Sequence, residues 1–266
     1  MTIVMGVLNV TPDSFSDGGR HDDAEAAVAH GRLLASQGAG IIDVGGESTR
    51  PGAARVPEAE EMARVLPVVA ALAAHGITCS VDTMRASVAR AAVAAGARIV
   101  NDVSGGLADP GMLDAVADLG VDYVAMHWRG HSDVMQQHTG YSDVVADVAA
   151  ELATRRDAAL AAGIAAERII LDPGIGFAKT SEQNWLLLRG LDALQAMGHR
   201  LLVGVSRKRF LGELLDGRPA TDRDAATAAV TTWCAAHGIW AVRTHEVPAQ
   251  RDAAQVGRRL GALTVG

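Results

Sequence analysis

Ile3-Val4-Met5-Gly6-Val7-Leu8-Asn9-Val10-Thr11-Pro12-Asp13-Ser14-Phe15-Ser16-Asp17-Gly18-Gly19 is the stretch from which the fold can be read. Ile3 to Val10 is an apolar run of strand length, broken only by the amide of Asn9 near its end. It hands over to a loop of hydroxyls, two carboxylates, one aromatic ring and two glycines. A buried strand thus ends in polar, flexible chain.

The same transition recurs. Apolar runs of strand length lie at Ile41 to Val44, Thr78 to Val81, Arg98 to Val100, Tyr123 to Met126, Ile169 to Leu171, Leu201 to Val205 and Ile239 to Val242. Their polar ends are Asp43 and Glu47, Asp82 and Thr83, Asn101 and Asp102, His127, Asp172, Ser206 and Lys208, then Arg243 and His245. Between the runs are Ala-rich segments of helical period. Met62, Val65, Leu66, Val69, Leu72 and Ala73 make one stripe that can pack on a sheet, with Pro57 and Glu58 at the helix start. Thr180 with Gln183 forms a capping box, and Thr221 is expected to cap the last long Ala-rich helix.

Strands alternating with helices imply parallel pairing through right-handed crossovers. Eight such units in 266 residues match a single (β/α)8 TIM barrel spanning residues 1–266, a fold that takes roughly 250 residues. The rival is a doubly wound open sheet, but the dinucleotide fingerprint is missing and polar residues end all eight runs rather than one switch point. A closed barrel would gather those strand ends on its C-terminal face, where the active site is expected.

Composition agrees. Apolar residues make up 49% of the chain and charged ones 21%, enough for a large core, and no linker or low-complexity tract divides the sequence. A formal charge of −7 without a basic helix argues against nucleic acid, so an anionic ligand needs a local positive cluster. Cys79 and Cys234 give neither a disulfide framework nor metal-ligand spacing and read as reduced core residues of a cytoplasmic protein. The first run lacks a basic leader, and no run approaches the ~18 residues that span a bilayer, so neither a signal peptide nor a membrane partner is expected.

Several strand ends carry chemistry. Asn9 offers a neutral oxygen suited to a Mg²⁺ that keeps most of its waters and is otherwise held by phosphates, though a turn amide would look the same. Gly45-Gly46-Glu47-Ser48-Thr49-Arg50-Pro51-Gly52 can bind phosphate oxygens through Thr49 and Arg50, or can be a solvated loop. Asp82, Asn101 and Asp172, converging in one pocket, suit a flat heterocycle with a guanidine-like edge. Ser206-Arg207-Lys208-Arg209-Phe210 sets three cations beside a short helix from Phe210 to Leu215, an anion site at a helix start. Arg243 and His245 add a guanidinium and an imidazole. Phe15 in the first loop suggests a lid. His127 is expected to be structural, and Arg129 to Tyr141 a long loop.

These motifs together resemble the dihydropteroate synthase family, the target of sulfonamide drugs. The matching stretches are NVTPDSFSDGG from Asn9, DVGGESTRPG from Asp43, SVDT from Ser80, NDVSGG from Asn101, LDPGIGFAK from Leu171, SRKRFLG from Ser206 and RTH from Arg243. They run nearly the whole chain in the family's order.

The resemblance implies a transferase that condenses 6-hydroxymethyl-7,8-dihydropterin diphosphate with p-aminobenzoate to 7,8-dihydropteroate and pyrophosphate, with Mg²⁺ as cofactor on Asn9 and the diphosphate. It implies pterin contacts from Asp82, Asn101, Asp172, Lys208 and Arg243. Diphosphate contacts fall to Asn9, Thr49, Arg50, Arg243 and His245, and p-aminobenzoate contacts to Phe15, Pro51, Lys208 and Arg209. Asp17, Arg50, Lys208, Arg243 and His245 carry the chemistry, and a homodimer forms through outer helices. Some relatives have Ser where Arg209 stands. The alternatives are a methyltetrahydrofolate-dependent methyltransferase, which has no use for Thr49, Arg50 and His245, and a catalytically silent pterin-binding paralogue.

Overall fold

The computed structural model describes residues 2–11, 20–47, 55–131 and 137–263. Among them eight parallel strands, β1 (Ile3–Asn9), β2 (Ile41–Gly45), β3 (Cys79–Asp82), β4 (Ile99–Asp102), β5 (Asp122–Met126), β6 (Ile169–Asp172), β7 (Arg200–Gly204) and β8 (Ala241–Thr244), pair in sequence order. β1 pairs with both β2 and β8, so the sheet closes as expected. The intervening helices are α1 (Arg20–Ser36), α2 (Glu58–Ala74), α3 (Ala86–Ala94), α4 (Met112–Leu119), α5 (Val144–Ala161), α6 (Ser181–Arg189), α7 (Leu191–Gln195), α8 (Arg209–Leu214), α9 (Asp224–Ala236) and α10 (Pro248–Gly261).

Both faces of these strands are buried, which is why they read as continuous apolar runs rather than alternating ones. The two faces nevertheless separate by parity. Met5, Ile41, Ile99, Val124, Ile170, Leu202 and Ala241 form a small cluster of their own, the plug inside the barrel. The residues next to them in sequence, among them Ile42, Val100, Tyr123, Leu171 and Val242, belong to the large core between sheet and helices. Because side chains alternate along a strand, two steps beyond the plug gives the inner rim: Asp43, Asn101, Met126, Asp172, Gly204 and Arg243. Asn9 lies two turns of this alternation beyond Met5.

Local signals place the helices. Pro57 precedes α2 and Glu58, Glu60 and Glu61 occupy its first turn, while Val65, Val69 and Leu72 form its buried stripe. Thr180 caps α6 in the expected reciprocal box with Gln183. Thr221 does not cap α9. A single 3-10 turn covers Ala220–Asp222, and Thr221 donates to Asp222 at 3.2 Å. Arg223 donates to Arg218 O and Arg207 O, pinning the chain so that the helix begins only at Asp224. Cys79 and Cys234 are buried and unpaired, and burial pushes their thiols up to about 11 and about 12. No helix among the described residues is long and apolar enough to cross a membrane.

Candidate active site

The inner rim opens into a cavity of about 650 Å³, walled by Asn9, Asn101, Asp172, Lys208, Arg243 and His245 among others. Residues from β1, β4, β6, β7 and β8 therefore meet in one space, as the strand ends implied. Phe15, Asp17, Thr49, Arg50 and Pro51 lie outside the described residues.

Behind the cavity wall is an ionic lattice. Arg243 donates through Nε to Asp43 Oδ2 at 2.6 Å and through Nη2 to Asp82 Oδ2 at 2.8 Å. Asn101 Nδ2 donates to the same Asp43 oxygen at 3.0 Å. Burial works against the Arg243 cation, but Asp43 and Asp82 outweigh it and hold its pKa above the usual guanidinium value. Burial raises the Asp82 carboxyl, and Arg243 pulls it back. Asp82 is thus a partner of Arg243, set behind it rather than in the cavity wall. Asp43 is fully buried and orients both Arg243 and Asn101, a role the sequence reading did not assign it.

Asp172 is held by its own turn: Gly174 N–H donates to Oδ1 at 2.7 Å. Burial raises its carboxyl, with Lys208 and the Gly174 N–H opposing. Lys208 Nζ donates to Ile175 O in that turn and lies 4.4 Å from the centroid of the Phe177 ring. Burial lowers the Lys208 ammonium to about 8, against the pull of Asp172. A side chain at Gly176, where φ is 84°, would meet Lys208 Cδ at 2.6 Å, so only glycine lets the lysine stem reach the cavity.

The expected trio of cations is divided. Arg207, at φ 62°, turns to Asp224 with two bonds of 2.8 Å and is held by α9. Lys208 enters the cavity. Arg209 opens α8 with its side chain 71% exposed and Glu213 at 3.4 Å, which puts it at the rim. His245 meets the buried Ser206 through Nδ1 at 3.0 Å. The structural reading of His127 stands: its ring bonds Glu151 and Lys179. Asp102 also faces the helices, accepting from Ser104 N, Ser104 Oγ, Gly106 N and Tyr123 OH.

Among the described residues no group of three or more His, Cys, Asp and Glu side chains could hold a metal ion. Asn9 supplies one neutral oxygen, and Gly45 opposite it leaves that oxygen uncrowded, since even an added Cβ would stay 3.9 Å away. One such donor fits a Mg²⁺ held mainly by water and a diphosphate, and would not fit an all-protein cage.

Residues 5–245 match the sequence pattern of the family described as pterin binding enzyme. A dihydropteroate synthase of Mycobacterium leprae is 54% identical over 259 residues, covering 95% of this chain and 91% of its own. The chain belongs to the dihydropteroate synthase family of pterin binding enzymes. The Xanthomonas albilineans dihydropteroate synthase, solved with 4-aminobenzoic acid, superposes with a TM-score of 0.92 at 47% identity, covering 99% of this chain and 94% of that one. The same enzyme solved with 7,8-dihydropteroate gives 0.89 at 45% identity, covering 99% and 95%. The cavity of this chain is lined by a carboxylate, a carboxamide, an ammonium and a guanidinium, from Asp172, Asn101, Lys208 and Arg243.

Proposed function

We propose that this chain is a transferase that joins 6-hydroxymethyl-7,8-dihydropterin diphosphate to p-aminobenzoate, giving 7,8-dihydropteroate and pyrophosphate. The observation that carries the reading is the cavity floor. Asp172 and Asn101 present acceptors and one donor to a guanidine-like edge, while Lys208 and Arg243 supply the positive charge that a pterin oxygen and a departing diphosphate need.

The C–O bond between the exocyclic methylene and the diphosphate breaks, and pyrophosphate leaves with the electron pair. Delocalisation into the pterin ring stabilises the cation left behind. The neutral arylamine nitrogen attacks the methylene, a C–N bond forms and the nitrogen loses a proton to solvent or pyrophosphate. Arg243 and His245 line the route of the leaving group, with Thr49 and Arg50 assigned beside them, and Asn9 would hold a Mg²⁺ that neutralises diphosphate charge. Arg209 at the rim, with Lys208 beside it, takes the p-aminobenzoate carboxylate, and Phe15, Asp17 and Pro51 are assigned to exclude water from the cation.

A homodimer is part of this reading. Trp233 on α9 and Val256 and Leu260 on α10, 45%, 55% and 54% exposed, offer an apolar face. The buried, unpaired cysteines suit a cytoplasmic address. The test is pyrophosphate release by the purified protein with the diphosphate substrate, Mg²⁺ and p-aminobenzoate, each omitted in turn. Product formation that requires the arylamine and falls when a sulfonamide competes supports the synthase. Pterin binding without release points to the silent paralogue.

A further inference from the structure

Lys179 takes no part in the chemistry above, yet it is 1% exposed and reaches the wall of the same cavity. Its Nζ lies 3.0 Å from Gly174 O, 3.1 Å from Phe177 O and 3.0 Å from His127 Nδ1. Three acceptors match the three N–H groups of an ammonium. A buried ammonium needs compensating charge, and here it arrives through a ring: His127 Nε2 lies 2.9 Å from Glu151 Oε2. His127 therefore carries its proton on Nε2, donates to Glu151 and accepts from Lys179.

The turn that Lys179 holds is costly to form. Gly174 at φ 64°, Gly176 at 84° and Ala178 at 50° are all left-handed, and Ala178 has a Cβ that disfavours it. A side chain on Gly174 would meet His127 O at 2.6 Å. Such a backbone persists only when its surroundings dictate it. Tyr141 OH donates to Ala178 O at 3.0 Å, and the Arg129 guanidinium lies 3.8 Å from the Tyr141 ring centroid while bonding Glu151. The network thus grips the turn from β5, α5 and the chain between them. In return the turn offers Gly174 N–H to Asp172 and Ile175 O to Lys208.

We propose that Lys179 is a positioning residue for the pterin site, acting through the Gly174–Phe177 turn on Asp172 and Lys208, with His127 and Glu151 holding it in register. The proposal rests on the function read above. Asp172 from β6 and Glu151 from α5 favour the charge on Lys179, whereas Lys208 from the β7–α8 turn and Arg129 from beyond β5 oppose it. Burial is the largest influence and brings its pKa down to about 7, so raising the pH through that value removes one of the three N–H groups.

The experiment compares the full chain with Lys179→Met, His127→Leu and His127→Gln, whose amide can still accept from Lys179 and donate to Glu151. Lys179→Met should weaken binding of a pterin lacking the diphosphate about tenfold and raise the substrate KM similarly, with kcat within about threefold, as the loss of turn-holding bonds dictates. Amide hydrogen exchange at residues 173–178 should speed up without any ligand. His127→Leu should follow Lys179→Met, and His127→Gln should stay within about threefold of the wild type. Pterin affinity of the wild type should fall as the pH rises through about 7, and that part of the profile should be missing in Lys179→Met. Asp82, raised by burial to about 7, titrates in both proteins. Unchanged exchange over the turn with unchanged affinity would overturn the proposal, as would a lower Tm with wild-type KM. Should Lys179→Met not fold, the two His127 variants decide by the same readouts. A wild type that binds no pterin sinks the functional reading, while the exchange data still judge the grip of Lys179 on the turn.

Discussion

Asp102 and Asp172 end neighbouring parts of one barrel rim, both buried and both with carboxyls raised by burial. Asp102 points at the helices and accepts from four neutral donors at 2.6 to 2.9 Å. Asp172 points inward, accepts one N–H from Gly174 and shares a cavity with Lys208 and Arg243. One carboxylate is satisfied by its own chain, and the other keeps acceptor capacity for a ligand. The difference is a single step of strand parity, since Asn101, next to Asp102, is on the inner row. On the inner row Asn101, Asp172 and Arg243 wall the cavity while Asp43 braces Asn101 and Arg243 from behind, whereas on the outer row Asp102 holds its own loop.

Exchanging the loss between the two aspartates tests that division most severely. Asp172→Asn turns an acceptor toward a guanidine-like edge into an NH₂ group, so pterin affinity by calorimetry should fall at least about 100-fold, the worth of two charge-assisted bonds. Tm should move little. Wild-type affinity would remove Asp172 from the pterin site. Asp102→Asn should do the reverse, lowering stability by about 3 kcal/mol in denaturant because donors lose their shared acceptor, while the folded fraction binds pterin normally. A large loss of affinity there would erase the inner and outer distinction.

The division was only partly legible from residues. The eight apolar runs, their polar ends and the Thr180 box follow from local chemistry that tertiary contacts did not overrule. Parity was hidden because a strand buried on both faces shows no alternation; Ile41-Ile42-Asp43-Val44 does not say which neighbour faces in. Asp43 was therefore legible only as a polar strand end with no assigned partner, and Asp102 as a polar end beside the candidate Asn101. Arg207 looked like an anion ligand until α9 supplied Asp224, and Thr221 looked like a cap until Arg223 bound Arg207 O and Arg218 O. Both depended on contacts across a turn, which spacing does not encode.

Acid titration sharpens the outer row. His127 directly follows β5 and continues its outer parity, and burial lowers its pKa from 6.5 to about 4. Between those values the unfolded chain holds the extra proton, so its stabilising contribution is complete above 6.5 and is lost as the pH falls toward 4. Glu151, lowered to about 2 mainly by its bond to His127, continues the loss below its ordinary 4.5. Lys179 acts at the other end: its folded value near 7 lies below the unfolded 10.5, so stability rises with pH across that interval. Urea melts from pH 7 to 4 should show a fall of about 3 kcal/mol from His127, which His127→Gln abolishes. An unchanged slope in that variant would mean that the outer row does not titrate on unfolding.

The finest test removes one donor from the outer row and touches nothing in the inner one. Tyr123 is fully buried on β5, and its hydroxyl donates to Asp102 Oδ2 at 2.9 Å. Tyr123→Phe keeps the ring in the core and deletes that bond. Asp102 still accepts from Ser104 and Gly106, so the remaining donors limit the cost to about 1 kcal/mol. Gly106 N–H shares Oδ2 and keeps that oxygen served, so the carboxylate has no reason to turn and Asn101 no reason to move. Pterin affinity and kcat should therefore equal the wild type's while the denaturation midpoint falls. If affinity falls instead, the hydroxyl is transmitting position from the outer row to Asn101 across one peptide bond, and the two rows act as one unit.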